Sequence, residues 1–345
     1  MVHVSRVLST LALAAMTATA SQAQRYTLVD LGTLPGHTVS IPFDINNSGQ
    51  IVGVSIRRID GIDESEQAFL YANGVMQGLG ALPDDTYSLA NALNDSGLVV
   101  GVSFNNQPLQ YRAFAFEDGV MRDLGSLPGW SPDPRSVNQK GEIAGILFDA
   151  TGGTHAFLFH EGLFTDLGTL GGPHSGAFGI NKAGNVVGFS TLPSGFHAFI
   201  YDGAMQDLGA FGDSNGSEAY SINNEGQIVG YSYLNIASSF YHAFLYSNGT
   251  FRDLGTLGGN YSKASDINKF GVIVGHATIA DGQIHGFVYD SSSGTMANLN
   301  DLVQDSDGWA IFDAAAVNDR GQIVASAKKE GVTHAFLLTP VARGH

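Results

Sequence analysis

The 345-residue chain contains no cysteine. Disulfides, thiolate metal sites, iron–sulfur clusters and a cysteine nucleophile are therefore excluded. Basic residues are scarce: 16 Lys and Arg stand against 32 Asp and Glu, a formal charge of −16. Nucleic acids and anionic membrane surfaces are bound largely through Lys and Arg, so neither is an expected partner. Charged residues are only 14% of the chain and hydrophobic residues 43%, so it can bury a core; a disordered chain shows the reverse. Beyond the first residues no apolar run approaches the about 20 positions that a membrane helix needs, so no membrane insertion is expected. No segment keeps a helical apolar period. Gly-x-Ser-x-Gly and His-Glu-x-x-His are both missing, and Gly168 to Gly172 lacks the Lys-Ser/Thr of a phosphate loop.

The N-terminus reads as a segment apart from the fold. Arg6 precedes a short apolar run, Val7 to Ala15, and Ala18-Thr19-Ala20 and Ser21-Gln22-Ala23 both fit a small-x-small cleavage site. Residues 1–23 are read as a secretory signal peptide and 24–345 as one exported domain, secreted or periplasmic in a bacterium.

What the chain has in excess is glycine, 45 residues, and internal repetition. The pattern apolar-Asn-x-x-Gly recurs at Asn46, Asn94, Asn138, Asn181, Asn223, Asn268 and Asn318. Ala/Gly-Phe recurs in phase at Phe69, Phe114, Phe157, Phe199, Phe244, Phe287 and Phe336. Asp-Leu-Gly begins at Asp30, Asp123, Asp166, Asp207 and Asp253, with degenerate copies at Gly78 and Asn298. One unit reads as four short strands: 219–223, 227–231, 242–246 and 250–255. Asn-x-x-Gly suits a turn with glycine in the left-handed region, its Asn side chain bonding local backbone.

Four antiparallel strands in about 45 residues match a propeller blade. The chain after residue 23 starts at a fourth strand (26–32) and ends at a third (334–338), so pairing the two would complete the last blade and remove an exposed edge. The expectation is all-β: a single closed seven-bladed β-propeller of four-stranded antiparallel blades, closed by pairing of its N- and C-terminal strands, and monomeric.

His-Ala-Phe stands at His155, His197, His242 and His334, with His285-Gly286-Phe287 as a variant; Asp-Leu-Gly-Thr-Leu-Gly-Gly stands at Asp166 and Asp253. In these motifs, across nearly the whole chain after residue 23, the sequence resembles the bacterial extracellular repeat proteins named HAF for that triplet. The first two units depart from it, with Gln67-Ala68-Phe69 and Arg112-Ala113-Phe114. The resemblance implies export and a repeat fold, and carries over no catalytic residue.

The repeated histidines occupy equivalent places in different blades, too far apart to share a metal whose ligands lie at about 2 Å. Each is expected to bond a loop or the neighbouring Asp-Leu-Gly aspartate. The candidate ligand-binding residues lie instead in the loops entering each first strand: His37, Tyr87, Trp130, His174, Tyr261 and Trp309. They share a face with the second-to-third loops, the first of which carries Arg57 and Arg58. Rigid aromatics with nearby polar groups hold sugars and other flat ligands. Asp44, Arg135 and Asp266 are candidates to line the channel. No cofactor is expected; calcium alone is retained as a candidate, at Asp301, Asp305 and Asp307 or at Asp213, Asn215 and Glu218, neither of which completes an EF-hand loop. The functional expectation is a non-catalytic binding protein for a glycan or a protein surface, near the channel mouth. The alternative is a propeller enzyme, a lyase or hydrolase of glycans or lactones, using calcium or a carboxylate pair such as Asp44 and Asp266.

Overall fold

The computed structural model describes residues 24–342 except 107, 108, 213, 236 and 238. The leader reading of residues 1–23 and the calcium candidate Asp213 lie outside the described residues. Among the described residues twenty-eight strands form seven four-stranded antiparallel sheets, and the chain is a seven-bladed β-propeller. The first strands, in chain order, are Val39–Ile45, Tyr87–Leu93, Trp130–Val137, Ser175–Ile180, Ser217–Ile222, Gly258–Ile267 and Ala310–Val317. In six blades the four strands follow in sequence; the seventh takes its fourth strand, Tyr26–Asp30, from the N-terminal end, paired with Val332–Pro340. The one helix among the described residues, Leu299–Leu302, is a single turn in the connection to the seventh blade.

Each motif of the repeat has a contact that explains it. The Ala-Phe phenylalanine of the third strand is fully buried at Phe69, Phe114, Phe157, Phe199, Phe244 and Phe287. In these six blades it packs over a second-strand glycine: a Cβ at Gly145 would lie 2.1 Å from the Asp133 carbonyl oxygen and 2.7 Å from Phe157; the seventh blade has Ala325 there, opposite Phe336. The preceding alanine donates its N–H to a buried serine of the next blade, as Ala198 does to Ser217 Oγ (2.8 Å) and Ala335 to Ser40 Oγ (2.9 Å). The histidine bonds the Asp-Leu-Gly aspartate: His155 with Asp166 (2.7 Å), His197 with Asp207, His242 with Asp253 and His334 with Asp30. Three blades vary the pair, at the first position, the second, or both. Arg112 pairs with Asp123 (2.7 Å), His285 with Asn298 (2.9 Å), and Gln67 faces Gly78.

The asparagines do more than shape their turns. Each side-chain oxygen accepts N–H bonds inside its own turn, as Asn94 Oδ1 does from Ser96 and Leu98 (both 3.1 Å). Each Nδ2 crosses to the next blade and donates to the carbonyl oxygen of that blade's asparagine. The series runs Asn46, Asn94, Asn138, Asn181, Asn223, Asn268 and Asn318, and returns to Asn46. The ring therefore closes in hydrogen bonds as well as in strand pairing. The apolar clusters likewise span neighbouring blades, one of them joining Val229 and Leu245 to Ile273 and Phe287.

Candidate functional site

Antiparallel order puts the Asn-x-x-Gly turns and the third-to-fourth turns on one face. The second-to-third and fourth-to-first connections share the opposite, loop-bearing face. The first of these connections is not the open loop that Arg57 and Arg58 suggested. It is a continuous hairpin, Ile51–Ile59 and Ile62–Ala72, turning at Asp60-Gly61 with both φ positive. Two such residues in a row match the twist of the flanking strands. Arg57 pairs with Glu64 (3.2 Å) and Arg58 with Asp63 (2.5 Å) across it.

Every first strand carries a β-bulge at the same place, three residues before its asparagine, where register is lost between Pro42 and Asp44, Ala90 and Ala92, and so on round the ring. A bulge re-aims a side chain. The seven re-aimed residues, Phe43, Asn91, Arg135, Phe178, Tyr220, Ser265 and Ala315, all line one axial cavity of about 120 Å³. Asp44, Arg135 and Asp266 line it too. Asp44 accepts the Leu93 N–H of the next blade (2.9 Å), and Asp266 accepts the Val317 N–H (2.9 Å) and the Ser221 hydroxyl (2.7 Å). Burial pushes Asp44 up to about 7, opposed by its backbone hydrogen bond and reinforced by the charge of Asp266. Burial raises Asp266 as well.

One layer nearer the loop-bearing face, the first and second strands of each blade present a cross-strand pair. In chain order the pairs are Ile41–Val54, Leu89–Val102, Asp133–Ile146, Gly176–Phe189, Glu218–Tyr231, Lys263–His276 and Asp313–Ser326. Blades one and two close this mouth with aliphatic side chains. Blades five to seven line it with ionisable and hydroxyl groups. The Tyr220 hydroxyl donates to Glu218 Oε2. Lys263 Nζ sits 3.7 Å over the Tyr220 ring, which also stacks with Phe178 at 4.8 Å and Tyr231 at 6.2 Å. His276 Nδ1 lies 2.8 Å from Asp313 Oδ1. Burial raises Tyr220 and Tyr231, each further raised by Glu218, and lowers Lys263 against the opposing charges of Asp313 and Glu218. Across the mouth Asp133 is raised by burial while its partner Arg135 opposes the shift.

The residues singled out in the entry loops sit at the periphery of this site. Trp130 packs on His155 and Trp309 on His334 and Phe336, so both indoles wedge against the His–Asp pairs inside the blades. His174 Nδ1 accepts the Thr154 N–H (3.3 Å). His37 Nδ1 is buried without a hydrogen-bond partner among the described residues. Tyr87 stacks on Phe104 (5.4 Å), and Tyr261 belongs to a run of rings with Tyr241, Tyr231 and the exposed Phe240 that leads from rim to mouth. Asp307 is paired with Lys329 (3.2 Å), and among the described residues no three His, Asp or Glu converge as metal ligands. Lys263, His276, Asp313, Tyr220 and Tyr231 were not singled out from the sequence. For all but Tyr220 the signal was there, five residues before each asparagine and one after the second-strand glycine (Ala325 in the seventh blade), where the copies diverge.

No family model and no curated protein matches the chain. Solved propellers do. The structure of YCF48 bound to D1 peptide is 11% identical, covers 94% of this chain and 97% of its own, with a TM-score of 0.54. The propeller domain of the Trilobed protease from Pyrococcus furiosus, described as having an open velcro topology, is 10% identical over 88% of this chain and 93% of its own, with a TM-score of 0.58. A Mycobacterium tuberculosis puromycin-hydrolyzing peptidase reaches a TM-score of 0.60 at 11% identity; the alignment covers 93% of this chain and 55% of the peptidase. These similarities concern the fold. No helix among the described residues is long and apolar enough to cross a membrane.

Proposed function

We propose that the protein is an exported, non-catalytic binding propeller of the HAF repeat type that takes its ligand at the channel mouth of the loop-bearing face. One observation carries this reading. The architectural positions repeat in nearly every blade, whereas the mouth positions pass from Ile41–Val54 to Lys263–His276. Architecture asks the same of each blade; a ligand asks different things of different blades. The run Tyr231, Tyr241, Tyr261 and Phe240 adds aromatic area at the rim, where sugars and peptide side chains are held. A glycan is the first ligand class to test, a protein surface the second; YCF48 bound to a peptide is a precedent on the same fold.

The test is thermal unfolding of the protein against oligosaccharide and peptide panels with calcium held constant. A ligand at a hundred times its dissociation constant adds about 2.7 kcal/mol to the folded state. A shift seen in the wild type and abolished by Tyr241→Ala supports the reading; a shift that Tyr241→Ala leaves intact, or none with either panel, refutes it. A second reading, a glycan or lactone enzyme, is favoured by the His276–Asp313 pair, since a carboxylate that fixes one imidazole nitrogen prepares the other for proton transfer. Release of product from a sugar that binds would decide for it, and loss of turnover on chelation would bring in calcium.

A further inference from the structure

We propose that Lys263 is a reactive amine, at which a carbonyl compound, an aldehyde or the open-chain reducing end of a sugar, condenses to an imine in the channel mouth. The proposal rests on the mouth being the ligand site and names the chemistry of its ligand.

Lys263 stands alone among the six lysines. Lys140, Lys269 and Lys329 have carboxylate partners, and Lys182 and Lys328 are solvent-exposed. Lys263 is half-buried with no carboxylate within 4.0 Å among the described residues, its Nζ held on the Tyr220 ring. Burial lowers the amine's pKa, against the ring face and the charges of Asp313 and Glu218, which favour the ammonium form. A neutral amine is the nucleophile for a carbonyl carbon. Groups that move protons surround it. His276 is its cross-strand partner, with Nδ1 committed to Asp313 and Nε2 making no described hydrogen bond. Glu218, bonded to the Tyr220 hydroxyl, flanks the other side.

The step balances without redox chemistry. The Lys263 nitrogen forms a bond to the carbonyl carbon, that nitrogen gives up one proton and the carbonyl oxygen takes one up, giving a neutral carbinolamine. That hydroxyl then leaves as water after a second protonation, and the nitrogen gives up its remaining excess proton. His276 and Glu218 are the groups placed to deliver and accept these protons. The net change is amine plus carbonyl to imine plus water.

The experiment is competitive labelling of the folded protein with glycolaldehyde and cyanoborohydride at neutral pH, with the six lysines followed by peptide mass mapping. A lowered pKa raises the neutral fraction at a given pH, so Lys263 is expected to be modified faster than the solvent-exposed Lys182. In Lys263→Met, with folding verified by circular dichroism, the fast site should vanish. Equal or slower labelling of Lys263, or a fast site that survives in the variant, overturns the inference. Because glycolaldehyde needs no affinity for the mouth, the two readings fail separately. Fast labelling with no ligand in either panel refutes only the binding reading. A bound ligand with slow labelling refutes only this one.

Discussion

The asparagine ring makes the sharpest demand on stability, and Asn94 isolates it. Its side chain is 3% exposed. Nδ2 donates to the Asn138 carbonyl oxygen (3.0 Å) in the next blade, while Oδ1 accepts the Ser96 and Leu98 N–H groups (both 3.1 Å) within its own turn. Asn94→Ala removes both sets: the Ser96 and Leu98 N–H groups and the Ser96 hydroxyl lose their acceptor, and the Asn138 carbonyl oxygen keeps only the Gly141 N–H (3.1 Å). At about 1–3 kcal/mol for a strongly buried group and less where water reaches the turn, the expected loss is about 3–5 kcal/mol. Asn94→Asp separates the two roles. A carboxylate still accepts both turn N–H groups but has no proton for the Asn138 oxygen, and places negative charge against it. If the blade-to-blade bond matters as argued, Asp is at least as damaging as Ala. If asparagine serves only its own turn, Asp is nearly neutral. Urea-induced unfolding of both variants followed by tryptophan fluorescence, with Asn181→Asp as a second site, decides between them. An Asp variant within about 0.5 kcal/mol of the wild type, the scatter expected of an ordinary surface change, would refute the ring argument.

Three further outcomes follow from the same contacts. Because burial raises the folded-state pKa of Asp44 to about 7 from 3.8, the folded protein holds this proton more tightly than the unfolded chain; its contribution is full below about pH 4, is lost as pH rises towards 7, and is flat above, so Asp44→Asn should flatten the fall in unfolding free energy over that window, and an unchanged slope would count against the buried carboxylate. Gly101→Ala puts a Cβ 2.0 Å from the Leu89 carbonyl oxygen and should cost more than about 4 kcal/mol, whereas Gly119→Ala, with φ +80° but open space, should cost about 1 kcal/mol; soluble yield and thermal midpoints rank the two. A double-mutant cycle of His155→Ala and Asp166→Ala should return a coupling of only about 0.5–1 kcal/mol, because the pair is partly exposed at 27% and 38%; a value well above this would give the HAF histidines a larger part in folding than the structure assigns them.

The sequence by itself determined the architecture. Repetition at a fixed period has few physical solutions, and strands such as Gln227 to Tyr231 or His242 to Tyr246 state their own type through β-branched and aromatic residues. The closing pair of Tyr26–Asp30 with Val332–Pro340 was legible because the chain begins and ends on complementary strands. The His–Asp pairing was legible too, since both partners recur in phase. Of the candidate site residues, Asp44, Arg135 and Asp266 line the axial cavity, and the entry-loop residues Trp130 and Trp309 pack against His155 and His334.

What the tertiary structure alone decided is which residues meet across blades. Lys263 lies over Tyr220 from the preceding blade, 43 positions earlier in the chain, and His276 meets Asp313 of the following one, 37 positions later. Such contacts carry no local pattern. They arise because each first strand is bulged at the same place and each blade is rotated against the next, so the positions that meet at the axis are set by the closing of the ring. A linear chain records what each blade contributes; only the closed ring brings those contributions together in one mouth.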